Sequence, residues 1–185
     1  QNGDDRRTAA GRIHGGTSAV RELIYNQNEI PKEQWRYGFR SSAATGCGWI
    51  ATYNALHLLG YHAEPERLIR MYERMLPLIH GNSGTNAFAP AVCFKSWGFP
   101  VELVYRREKF DEAAKGCDVC ILFYHWKRDW KLGAHFVALH HTKNGFVGYN
   151  TFKNSTGPDR YGASLSEWVK ERKYFGAVLI CIRDK

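Results

Sequence analysis

Of the five cysteines in this 185-residue chain, Cys47 is the one flanked by glycines at what reads as the start of a helix, in GCGWIATYNALHLLGY. A cysteine attacks as its thiolate, so a catalytic one needs a helix N-terminus, a neighbouring imidazolium or both to lower its pKa. Cys47 has the first by position, and its own amide is placed to donate into an oxyanion hole. Gly46 and Gly48 leave the backbone bare where a substrate carbonyl would approach. The base must be a histidine on a separate element, with a third group holding its other ring nitrogen. His135 in GAHFVALHHT and Asn150 in GFVGYNTF fit these roles, because the Asn144-Gly145 dipeptide between them predicts a tight hairpin that puts Asn150 opposite His135. The expected resting pair is a thiolate beside an imidazolium, which makes Cys47 the most reactive thiol expected. His141 shares the strand parity of His135 and is a rival base.

These residues need a helix, two strands and a core to hold them. Residues 1–16 are polar and Gly-rich and read as a flexible or surface-strapped N-terminal arm, and 17–185 read as a single catalytic domain. Helices are predicted over Thr17–Asn26, Cys47–Leu59, the EPERLIRMYERMLPLI segment and Asn86–Trp97. After Gly98 the chain turns to β-rich runs, PVELVY, DVCILFYHW, GAHFVALHHT, GFVGYNTF and YFGAVLICI, with short helices in KFDEAAK and SLSEWVKERK. Helices first and strands second is an α+β pattern, a helical half carrying the nucleophile helix packed on a mostly antiparallel sheet.

GCGWIATYNALHLLGY followed far downstream by GAHFVALHHTKNGFVGYNTF resembles the papain-like cysteine peptidases, most nearly the C39-like branch as a stand-alone domain. The likeness runs from about Arg40 to Ile182. It implies a papain-like fold with Cys47 as nucleophile, His135 as general acid and base, and Asn150 as the residue orienting His135. It also implies a peptidase or related amide hydrolase acting on a peptide or protein substrate. The same triad serves an acyltransferase, a transglutaminase or a glutamine deamidase, and a catalytically silent binding module is the reading outside enzymes. Family members usually carry a glutamine six residues before the cysteine to complete the oxyanion hole, and Ser41 stands there in this chain. Ser41, Arg40 and Ser42 are therefore the oxyanion-hole candidates, with Thr45 a further possible donor.

Other signals read as structure. Cys117 and Cys120 form a CxxC that runs straight into an apolar strand, so core packing is expected, and His125, His140 and His141 lack metal spacing. No cofactor and no metal are expected. Trp49, two residues after Cys47, is a candidate cleft wall, while Trp97, Trp126, Trp130 and Trp168 read as core or interface, and His57, His62 and His80 as helix-surface or boundary residues. The net charge of +8 comes from Lys and Arg dispersed among Asp and Glu, so no specific nucleic-acid partner is expected. No apolar run approaches the about 18 residues of a membrane span. An odd set of cysteines in apolar segments favours reduced thiols and leans towards a cytoplasmic setting, and a start at Gln1 reads as a trimmed N-terminus.

Overall fold

The computed structural model describes residues 11–12, 23–74, 85–128, 131–174 and 176–184. A two-residue strand β1 (Gly11–Arg12) pairs antiparallel with β2 (Tyr61–His62), so this part of the N-terminal arm is strapped to the helical half. That half comprises a 3-10 turn (Gln27–Glu29), a one-turn helix α1 (Ser42–Thr45), α2 (Cys47–Leu58), α3 (Pro65–Arg74) and α4 (Ala89–Ser96). There follow β3 (Val101–Val104), a 3-10 turn (Arg107–Lys109), α5 (Phe110–Lys115), β4 (Val119–Arg128), β5 (Lys131–Thr142), β6 (Gly145–Tyr149), β7 (Asp159–Gly162), α6 (Leu165–Glu171) and β8 (Gly176–Ile182). The strands β3 to β8 form one antiparallel sheet of order β3-β8-β4-β5-β6-β7.

α2 is the centre of the helical half. Every residue from Gly48 to His57 is buried, so the helix is enclosed rather than amphipathic with Ile50, Tyr53 and Leu56 on one stripe. Thr52 and Asn54 spend their polar groups internally: Thr52 Oγ1 lies 2.5 Å from the Tyr72 hydroxyl of α3. The Asn54 amide brackets the backbone of Ile24, accepting from its N–H at 2.9 Å and donating to its carbonyl at 2.9 Å. That bracket is the physical reason Leu23–Asn26 are not helical, contrary to the predicted Thr17–Asn26 helix, whose earlier residues lie outside the described set. The α4 helix starts later than predicted because the Asn86 side chain accepts the Phe88 amide at 2.9 Å, a local turn that competes with helix.

The sheet is covered on both faces, an arrangement the helices-then-strands reading did not include. Val119, Ile121, Phe136, Ala138, Ile180 and Ile182 pack with α2, α3 and α4, while Cys120, Leu122, Val137, Leu139, Leu179 and Cys181 pack with α5 and α6. Two buried faces explain why the central strands are continuous apolar runs rather than alternating ones. α6 is held over its face by Asp111 of α5, whose carboxylate accepts the Ser164 hydroxyl at 2.7 Å and the Leu165 amide at 2.6 Å. Trp168 stacks on Tyr161 at 4.0 Å. Among the described residues no helix is long and apolar enough to cross a membrane.

Candidate active site

Cys47 is the first residue of α2, after the Gly46 cap. The two glycines beside it are dictated by packing rather than by room for a substrate. A Cβ on Gly46 would lie 2.6 Å from the Ser42 carbonyl oxygen and 2.7 Å from Trp49 Nε1, and one on Gly48 would lie 2.7 Å from Thr85 Oγ1. Trp49 is fully buried, not a cleft wall. Its Nε1 donates to Ser42 Oγ at 3.0 Å, and Ser42 Oγ donates in turn to the Trp35 carbonyl. Ser42 has a single hydroxyl proton and spends it there, so it is unsuited to the oxyanion role expected of it.

Cys47 is half-buried against the core at the start of α2. The amides of Phe136, Gly48 and Cys47 itself favour its thiolate, but burial outweighs them and pushes the thiol up to about 11. His135 is moved the opposite way, since burial drives the imidazole below its ordinary 6.5, offset in part by the Asn150 carbonyl. Desolvation thus favours the neutral form of each group, against the expected thiolate and imidazolium.

His135 and the Cys47 helix belong to different faces of the sheet. His135 pairs with Tyr124 of β4 and shares a face with Val137 and Leu139, whereas α2 packs on the face of Phe136 and Ala138. β6 pairs with β5 only as far as Tyr149 opposite Ala138, leaving the β5 edge before it unpaired on that side. The Phe136 amide, one residue along from His135, is among the groups that favour the Cys47 thiolate. Tyr124, whose ring lies 5.9 Å edge-on to His135, has its hydroxyl raised by burial, then by Tyr161 and Tyr174, and also by Cys47.

Asn150 reaches His135 by an unexpected group. Continued one step, the register sets Asn150 opposite Val137 rather than His135, and at Asn150 the chain leaves the strand with φ +65°. That turn aims the main-chain carbonyl at the ring: His135 Nε2–H donates to the Asn150 oxygen at 2.6 Å. A carbonyl only accepts, so Nε2 carries the proton and Nδ1 keeps the lone pair of a base. The Asn150 side chain faces away to Gln27, accepting from the Gln27 amide at 2.8 Å and donating to Gln27 Oε1 at 3.0 Å. Gln27 Nε2 then donates to the Ala43 carbonyl of α1 at 2.9 Å, tying the Asn150 turn to the helical turn just before Cys47. Gln27 was missed from sequence, and its distance along the chain from both partners left no spacing to find it by.

Of the remaining candidates, Arg40 is exposed and Ser41 is half-buried at the head of α1, its carbonyl accepting from Ala44 and Thr45. Thr45 is buried two residues before Cys47, and its hydroxyl has no hydrogen-bond partner among the described residues. His141, the rival base, is exposed against Phe146, six residues and about 20 Å further along β5. His57 is buried rather than on the helix surface, and His80 and Trp130 lie outside the described residues. Cys117, Cys120 and Cys181 come together at the other end of β4. The Cys120 and Cys181 thiols hold Cys117 well below the usual thiol range. No protein-family model matches the sequence, and no curated protein matches it at a significant level.

Proposed function

We propose that the chain is a papain-like, C39-like cysteine hydrolase acting on peptide or related amide bonds through Cys47, His135 and Asn150. The observation that carries this reading is the 2.6 Å bond from His135 Nε2 to the Asn150 carbonyl, which leaves Nδ1 with its lone pair on the strand whose next amide favours the Cys47 thiolate. The Cys47 sulfur attacks the amide carbonyl carbon while its proton passes to His135 Nδ1. The oxyanion that forms is met by the Cys47 amide, a first-turn N–H with no helical acceptor. Collapse breaks the carbon–nitrogen bond, and His135 returns the proton to the leaving amine. Water, deprotonated by His135, then cleaves the thioester and restores the thiol.

Desolvation favours the neutral thiol and the neutral imidazole, so His135 acts as a general base during attack instead of storing a thiolate beforehand. Thr45 is the proposed second oxyanion donor, since its buried hydroxyl proton is uncommitted among the described residues. Gln27 is a positioning residue that fixes the Asn150 turn. A catalytically silent binding module is the second reading, and the raised Cys47 thiol is the observation on its side. Turnover of a panel of peptidyl amides and activated esters separates the two: hydrolysis by wild type and its loss in both Cys47→Ala and His135→Ala support the enzyme, whereas no turnover of any probe supports the silent module.

A further inference from the structure

A three-thiol cluster lies outside the proposed site, at the far end of the sheet's centre. Cys117 follows α5 after the Gly116 turn, Cys120 is on β4, and Cys181 sits directly opposite Cys120 on β8. Cys117 Sγ is 3.1 Å from Cys120 Sγ, Cys120 Sγ is 3.9 Å from Cys181 Sγ, and all three sulfurs lie within 4.8 Å of one another. Nothing in the spacing of the CxxC pair announces Cys181, because the third thiol is delivered by the strand ladder from 61 residues away.

We infer that Cys117, Cys120 and Cys181 bind one thiophilic metal ion through their three sulfurs, stapling the turn after α5 to β4 and β8. A zinc ion with metal–sulfur bonds of about 2.3 Å separates tetrahedral sulfurs by about 3.8 Å and trigonal ones by about 4.0 Å. The observed triangle brackets those separations, so sub-ångström adjustment of the half-buried Cys117 seats the ion. The donor set is sulfur alone, which selects zinc, cadmium or copper(I) over magnesium or calcium. Cys120 and Cys181 are 0% and 1% exposed, so two of the three sulfurs are fixed in the core before any ion arrives. Cys117 is open enough to admit an ion, beside a surface groove lined by Glu102, Lys109, Glu112, Gly116 and Arg183, and a water on that side completes a tetrahedron. A disulfide between Cys117 and Cys120 would leave Cys181 without a role, whereas a metal uses all three.

The test uses the full chain, reduced and freed of metal, titrated with cadmium(II) and separately loaded with zinc(II). One cadmium per chain is expected, with thiolate-to-metal charge-transfer absorption that persists in Cys47→Ser and is lost in Cys181→Ser. X-ray absorption of the zinc-loaded wild type should count three sulfur ligands, a readout that stands even where Cys181→Ser does not fold. Two sulfurs or fewer at the zinc, cadmium uptake abolished by Cys47→Ser, or a reduced protein that takes up neither ion would overturn the inference.

Discussion

Desolvation of the half-buried Cys47 has a direct kinetic signature. Its thiol is pushed up to about 11 from a reference value of 9.0. At pH 7 a thiol of that value is about 0.01% thiolate, against about 1% for the reference, so alkylation should be slowed about 100-fold on ionisation alone. The sign follows from burial: it disfavours the charged form, the thiolate share is small below the folded pKa, and it grows as pH rises towards it. Iodoacetamide labelling followed by peptide mapping should therefore show Cys47 reacting at least about 100-fold more slowly in the native protein than in denaturant at pH 7. The native rate should climb about tenfold per pH unit up to about pH 10 without a plateau. His135→Ala should leave this resting rate nearly unchanged, because a neutral imidazole adds no field, while abolishing turnover. A plateau below pH 8, or faster labelling in the native state than in denaturant, would show that a thiolate and imidazolium pair exists at rest and that the reasoning from burial fails.

Three further outcomes follow from particular contacts. Thr45→Val should lower kcat by about 100-fold or more with little change in KM if the hydroxyl meets the oxyanion, yet leave unfolding stability unchanged or raised, since it removes a buried hydroxyl without a partner among the described residues; an unaltered kcat would exclude that role. Asn150→Gly should retain more activity than Asn150→Ala, because both keep the carbonyl but only glycine takes φ +65° without about 1–2 kcal/mol of strain, and equal rates would mean the side chain is the true orienter. Gly48→Ala should cost about 1–3 kcal/mol in denaturant unfolding, since its Cβ would fall 2.7–2.9 Å from the Thr85 side chain, and a neutral result would show that Thr85 moves aside freely.

The legible parts of this fold were those set by local chemistry. Gly60 after Leu59, Pro65 at the head of α3 and the Asn144-Gly145 turn each mark a boundary by backbone preference, and the structure places elements there. The strands of the second half were visible as apolar runs, but which face met which helices was not, because a run buried on both sides carries no alternation. At the candidate site, the helix start at Cys47 and the place of Asn150 after the hairpin were legible. The use of the Asn150 carbonyl was not, since it depends on a single positive φ, nor was the Gln27 clasp, which depends on three segments meeting. The thiol's upward shift was missed for the same reason: position at a helix start is read from sequence, whereas desolvation is a property of what closes over the sulfur.

The central claim is that Cys47 forms a covalent acyl intermediate with His135 as its base, and intact-mass spectrometry of protein quenched during turnover of a peptidyl activated ester tests it most directly. One acyl group per chain, labile to hydroxylamine as a thioester and mapped to Cys47, is expected in the wild type, with none in Cys47→Ala and little in His135→Ala. An acyl group mapped to another residue, or turnover that survives in Cys47→Ala, would contradict it.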